Sequence, residues 1–194
     1  MRIDFREFSI YTAIAGLVAA VGLLSACGTT ESGGEAADVG FQQVMDVQTS
    51  FSPEDLDEIG FKKSRSYDLE GLPGATAAIF GFWRIPSGDP IDYEVRFYEN
   101  HSDAVELGTD LAEEGSGADA VLDDDDATYK EGVKDRRMIV GSGVGGGARS
   151  GIGPRYGGYV IYGNVIMLCG GAAGEQALER CELLANALEE ASGQ

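Results

Sequence analysis

The segment at residues 159–168 constrains the fold of this chain more than any other. Two β-rich runs, 159–162 and 165–168, are separated only by Gly163 and Asn164, and a loop of this kind is typical of a tight β-hairpin. Residues 174–190 then place apolar side chains on one helical face, namely Ala177, Leu178, Cys181, Leu184, Ala185 and Leu188. We therefore expect a hairpin followed by an amphipathic helix.

Similar local signals place the earlier elements. Ser52 and Pro53 predict a helix over residues 53–59, because a hydroxyl cap followed by proline is typical of a helix start. Asn100 predicts the cap of a second helix that ends at the glycines after residue 114. Strands are predicted at residues 62–69, 75–85, 91–99 and 137–141, and a glycine-rich loop at residues 142–158.

The strand at residues 91–99 alternates between two kinds of side chain. Ile91, Tyr93, Val95 and Phe97 share one face, which we expect to be buried. The other face carries Asp92, Glu94, Arg96 and Tyr98, as in a half-buried strand.

The order of the elements indicates an α+β fold. Two strand–strand–helix units predict a single antiparallel or mixed sheet of five to six strands, with two main helices packed on one face. We expect residues 39–194 to form this single domain.

The amino terminus has a different composition. Arg2 and Arg6 precede an apolar run of 15 residues, 10–24, which has the length of a signal-peptide core and is shorter than the roughly 20 residues that a membrane-spanning helix needs. The run ends in Leu24-Ser25-Ala26-Cys27, which resembles the lipobox of bacterial lipoproteins.

That resemblance implies a specific modification. Residues 1–26 would be the lipoprotein signal peptide, cut before Cys27, and the Cys27 thiol would carry a diacylglycerol. Residues 27–38 are small, polar and acidic, and would form a flexible tether. The implied location is the cell envelope, on the extracytoplasmic face of a membrane. The alternative is a plain transmembrane anchor that leaves Cys27 as an ordinary thiol.

Two cysteines remain after Cys27. In an oxidising compartment Cys169 and Cys181 are an even set, and a disulfide between them would join the last helix to the sheet and contribute roughly 2–4 kcal/mol. Two buried reduced thiols, or half of a metal site, are the alternatives. The hairpin, the last helix and this cysteine pair resemble the carboxy-terminal part of small α+β lipoprotein domains of unassigned function.

The charge of the chain restricts its partners. Lys and Arg number 14 against 33 Asp and Glu, and the net charge is −19. Nucleic-acid phosphates would repel such a chain, so we expect no nucleic-acid partner.

The acidic run Asp123, Asp124, Asp125 and Asp126 is a candidate metal site. Clustered carboxylates suit calcium, but consecutive residues cannot all face one ion, and the spacing of an EF-hand loop is missing. A solvated acidic loop is the alternative. No other cofactor is expected.

Two further patterns concern anions and catalysis. Residues 141–146 satisfy G-x-G-x-x-G, but the segment that follows opposes the helix that dinucleotide binding requires. Arg149 and Arg155 lie in the same glycine-rich region and are candidates for binding an anionic ligand or partner; ordinary ion pairing at the surface is the alternative. His101 is the only histidine, so a histidine-dependent catalytic site would have to use it.

These features favour a lipid-anchored binding module for an envelope protein partner or a small ligand. The alternatives are a metal-dependent envelope enzyme, in which the acidic run and His101 would meet in one cleft, and a purely structural surface lipoprotein.

Overall fold

The computed structural model describes residues 40–85, 88–140 and 151–193, all within the compact unit Asp38–Gln194. The elements in chain order are β1 (Val44–Met45), α1 (Pro53–Glu58), β2 (Lys62–Ser66), β3 (Ala75–Arg84), β4 (Pro90–Tyr98), α2 (His101–Gly115), α3 (Val133–Arg136), β5 (Arg137–Val140), β6 (Gly151–Pro154), β7 (Tyr156–Tyr162), β8 (Val165–Gly170) and α4 (Gly174–Ser192). The α+β class is confirmed.

The main sheet has six strands in the order β1-β7-β8-β4-β3-β2. Every neighbouring pair is antiparallel except β1 and β7, which are parallel, so the sheet is mixed. The predicted hairpin is β7 and β8, with Tyr162 opposite Val165. Gly163 in its turn has φ of +56°, and a Cβ there would lie 2.9 Å from the Val47 side chain. Glycine is therefore the residue that fits this turn.

The helices cover both faces of the sheet, so the expectation that they pack on one face is wrong. Along β8, Val165, Met167 and Cys169 face the core that contains α1 and α4. Ile166 and Leu168 face a second core that contains α2. The physical reason is that β8 is apolar on both faces, and each face needs a cover that excludes water.

The second face of β4 is also buried, contrary to the half-buried strand that the alternation predicts. Glu94 and Arg96 are 0% exposed, and Tyr98 is 2% exposed. They lie under α2 and the segment that follows it. Alternating polarity did not indicate exposure here because the two charged side chains neutralise each other inside the core.

A second, two-stranded sheet pairs β5 with β6. The prediction of a single sheet is therefore wrong in part, because β5 and β6 form a separate sheet. Part of the predicted glycine-rich loop, residues 151–154, is the strand β6. Gly151 and Gly153 pair with β5 through backbone hydrogen bonds that need no side chain, which is why composition hid this strand.

The cysteine pair is a disulfide. Cys169 on β8 and Cys181 on α4 have Cα atoms 5.7 Å apart, and both residues are fully buried. The predicted link between the last helix and the sheet is confirmed. Ala177, Leu184, Ala185 and Leu188 are buried around it on the predicted face of α4.

The segment between β1 and α1 is fixed by one side chain from the hairpin turn. The Asn164 amide donates to the carbonyls of Phe51 and Tyr98, each at 2.9 Å, and its oxygen accepts from the Phe51 N–H at 2.8 Å. Within the described ranges, no helix combines the length and the apolar character needed to cross a membrane.

Candidate functional site

A pocket of about 510 Å³ opens at the end of the main sheet where β4 begins and β8 ends. Its apolar lining comes from Ile85, Pro90, Ile91, Met138 and Pro154. The polar and charged residues of its lining are Asp89, Asp92, Arg155, Gln176 and Arg180, and residues 170–172 complete it. We call this the sheet-end pocket. It combines apolar walls with a few polar groups, as small-molecule sites do.

Arg155 lies in the bend between β6 and β7 and is held from several sides. Its Nη1 pairs with the Asp92 carboxylate, its Nε donates to the Asp135 carbonyl, and its Nη2 donates to the Arg137 carbonyl at 3.2 Å. The guanidinium also lies 5.5 Å from the centre of the Phe80 ring. These contacts with described residues use three of its five N–H donors and hold the guanidinium in position.

Arg180 approaches the pocket from the first half of α4. Its Nη1 donates to the Gly170 carbonyl at 2.6 Å. Among the described residues no carboxylate lies within ion-pairing distance of Arg180, although the chain has an excess of acids. Of the five N–H donors of this guanidinium, the described contacts use one.

The disulfide lies directly beside this contact. Gly170 follows Cys169 in the chain and Arg180 precedes Cys181, so the bridge holds together the two segments that the Arg180 hydrogen bond joins. Tyr93 adds a second tie, since its hydroxyl donates to the Arg180 carbonyl at 3.0 Å.

A buried ionic network lies behind the pocket. Arg136 is 0% exposed and pairs with Glu114 at 3.0 Å, and Arg136 and Arg96 both lie within 6 Å of the Tyr129 ring centre. Asp135 connects the network to the pocket, because it directly precedes Arg136 in α3 and its carbonyl accepts from the Arg155 Nε. The network thus fixes the backbone that positions Arg155.

The acidic run forms an exposed turn. Asp124 pairs with Arg137 at 2.7 Å, and the Asp123 carboxylate accepts from the backbone N–H of Asp125 at 3.1 Å. Within the described ranges, no three His, Cys, Asp or Glu side chains are grouped to hold a metal ion. The calcium site stays a prediction.

His101 is the first residue of α2, and its Nδ1 lies 2.8 Å from the Gly163 carbonyl. The acidic run follows the other end of α2, and a helix of 15 residues is roughly 22 Å long. The metal-dependent enzyme hypothesis requires His101 and the acidic run to meet in one cleft. In the structure they lie at opposite ends of α2 and do not meet.

Residues 52–190 match DUF6810, a family of unknown function. The chain belongs to this family. No curated protein and no solved structure shows significant similarity to it. The DUF6810 match begins at the cap of α1 and ends within α4, so it includes every residue that lines the sheet-end pocket.

Sequence reasoning found one of the two pocket arginines of this DUF6810 protein. Arg155 was a candidate from its cationic character in an acidic chain, and it lines the pocket. The other candidate, Arg149, and the G-x-G-x-x-G motif lie in residues 141–150, outside the described residues. Arg180 was missed. The available signal was its place next to Cys181, since a disulfide to Cys169 brings residue 180 close to residue 170.

Proposed function

We propose that this protein is a lipid-anchored extracytoplasmic binding module that holds a small ligand in the sheet-end pocket. The anchor is supported by the Leu24-Ser25-Ala26-Cys27 sequence and by the small, polar residues that follow it. The Cys169–Cys181 disulfide supports an oxidising compartment, because such bonds persist mainly outside the cytoplasm.

The observation that carries the binding role is the state of Arg180. Of the two arginines that line the pocket, Arg155 pairs with Asp92, whereas Arg180 has no carboxylate partner among the described residues. An unneutralised cation beside apolar walls is suited to a ligand that supplies the missing negative charge. A concave pocket of about 510 Å³ favours a small ligand over a flat protein surface.

The test is a thermal-stability screen of the full chain, purified from membranes in a nonionic detergent. Fractions of a small-molecule extract are added to the wild type, to Arg180→Gln and to Lys130→Gln. Lys130 is exposed and does not line the pocket, so its variant is a matched control for the loss of one positive charge.

We expect at least one fraction to raise the melting temperature of the wild type and of Lys130→Gln but not of Arg180→Gln. The proposal fails if every active fraction stabilises all three proteins equally, or if no fraction stabilises the wild type. The second result would favour a purely structural lipoprotein.

A further inference from the structure

We infer that the ligand of the sheet-end pocket is an organic monocarboxylate with an apolar body. This inference rests on the proposed function, and it specifies the chemistry that the pocket recognises. It follows from the donors that remain, from the acids beside them and from the apolar walls.

The donors favour a carboxylate. A guanidinium presents pairs of parallel N–H groups, and a carboxylate accepts two of them at once. Arg180 uses one described hydrogen bond, to Gly170, and Arg155 has two donors beyond its three described bonds. The pocket therefore offers N–H groups from two arginines, and one of these side chains has no carboxylate partner among the residues described.

The acids in the pocket favour a single negative charge. Asp89 and Asp92 line the same space as Arg155 and Arg180. Asp92 pairs with Arg155, whereas no ion pair joins Asp89 to Arg180 among the described residues, so Arg180 is the pocket cation with which a ligand carboxylate can pair. A phosphate or a dicarboxylate would bring a second negative charge close to Asp89 and Asp92, and like charges at that range repel.

The apolar lining of the pocket favours a ligand with an apolar body. Ile85, Ile91, Met138 and Pro154 surround the polar groups. Met138 is 38% exposed, so it still has surface to bury against a ligand. A small hydrophilic anion such as acetate would leave these walls wet, whereas an aromatic or alkyl body would cover them.

The experiment compares three probes that share a phenyl group: 3-phenylpropionate, its neutral amide 3-phenylpropionamide, and the dianion phenyl phosphate. Each is titrated into the full chain in detergent, and the dissociation constant is taken from the rise in melting temperature. The proteins are wild type, Arg180→Gln, Arg180→Lys and Lys130→Gln. Partition of a given probe into detergent is the same for all four proteins and cancels when the proteins are compared. The probes are compared with one another at their free concentrations, measured by equilibrium dialysis against the detergent.

We expect 3-phenylpropionate to raise the melting temperature of the wild type by roughly 3–6 °C at about ten times its dissociation constant. The amide and the phosphate should bind at least about tenfold more weakly, which corresponds to the loss of one charged hydrogen bond. Arg180→Gln should weaken 3-phenylpropionate by a similar factor, and Arg180→Lys by less, because it keeps the charge without the paired donors. Lys130→Gln should match the wild type.

Three results would overturn the inference: an amide that binds as well as the acid, a phosphate that binds better than the acid, or no stabilisation by 3-phenylpropionate. If an extract fraction still binds through Arg180 in these cases, the binding role stands and only the ligand class is wrong. If no ligand depends on Arg180, both fail. If Arg180→Gln does not fold, Arg180→Lys replaces it. Weaker binding of 3-phenylpropionate to Arg180→Lys than to the wild type then supports the role of the paired donors, and equal binding contradicts it.

Discussion

Glu94 and Arg96 lie two residues apart on β4 and form an ion pair of 2.6 Å with both side chains completely buried. Burial alone works to lower the pKa of Arg96, but Glu94, Tyr98 and Tyr129 together raise this pKa above its ordinary value. Arg96 therefore stays charged inside the core that α2 covers. Such a pair constrains the core because neither member is tolerated without the other.

We expect Arg96→Met to lower the free energy of unfolding by about 3–5 kcal/mol, because Glu94 is left as an unpaired buried charge. Glu94→Leu should cost a similar amount, and the double variant should cost clearly less than the sum of the two. Urea unfolding of the four proteins measures this. Lys62→Met on the exposed strand β2 is the control, and additive losses in the double variant would contradict the coupling.

Glu114 links α2 to the following segment and should make stability depend on acid. Burial works to raise the pKa of Glu114, but hydrogen bonds from Thr128, Arg136 and Tyr129 lower it below the ordinary value. A lowered pKa in the folded state adds stability above the ordinary pKa of about 4.3, and this stability is lost as the pH falls through the folded-state pKa.

Glu114→Gln should therefore destabilise the protein by about 3 kcal/mol at neutral pH, mainly because Arg136 loses its partner. The loss should shrink below about pH 4, where the wild type loses the same contribution. Unfolding measured between neutral and acidic pH tests both points. Glu106→Gln, at an exposed position on the same helix, should leave stability nearly unchanged, and equal effects of the two variants would argue against the role of Glu114.

We expect the tyrosines of the folded protein to resist ionisation in alkali, because their pKa values are raised. Burial, as the largest cause, raises the pKa of all seven tyrosines of the described residues, and that of Tyr159 reaches about 12. The other six are Tyr67, Tyr93, Tyr98, Tyr129, Tyr156 and Tyr162. Because the folded-state pKa values exceed the unfolded value of about 10, their stabilising contribution is complete below that pH and is lost above it.

Ultraviolet titration of tyrosinate should then show these seven groups ionising together with unfolding, above pH 10. Circular dichroism over the same range gives the unfolding curve. Several tyrosines that ionise near their ordinary pKa while the circular dichroism stays native would contradict this expectation.

Removal of the disulfide should lower the stability of the domain. The chain-entropy estimate for a loop of this size is about 3 kcal/mol, so Cys169→Ala combined with Cys181→Ala should lower the free energy of unfolding by that order. Non-reducing peptide mapping of the wild type should recover the linked pair. Free thiols at both positions in the native protein would contradict the bridge.

The lipid anchor has a direct test. Cys27→Ala should abolish metabolic labelling with a fatty acid and leave uncleaved precursor, because no thiol remains to accept the diacylglycerol. Cys169→Ala is the matched control and should label normally. Normal labelling of Cys27→Ala would rule out the anchor at this residue.

Local patterns in the sequence predict the elements that bury a continuous apolar face. The Gly163-Asn164 turn, the Asn100 cap and the apolar face of α4 all occur as expected, since each depends on nearby residues. β6 was hidden because Gly151 and Gly153 contribute backbone pairing without side-chain signal.

Long-range contacts explain what sequence reasoning missed. The burial of Glu94 and Arg96 depends on α2 covering that face of the sheet, which alternation within β4 cannot report. The same holds for the pocket. Arg155 stands out by charge alone, whereas Arg180 becomes informative only when the disulfide places it beside Gly170.

The shortest strand has a mechanical consequence. If residues 27–38 form the proposed tether, a pull on it would reach β1 first. The backbone bonds that hold this region to β7 include those from the Ile161 N–H to the Gln43 carbonyl and from the Gly163 N–H to the Met45 carbonyl. The next contacts along the chain are the two hydrogen bonds between the Asn164 side chain and the Phe51 backbone. Under the proposed anchoring, β1 would therefore detach first, at the end of β8 next to the hairpin turn, and the sheet-end pocket lies at the opposite end of that strand.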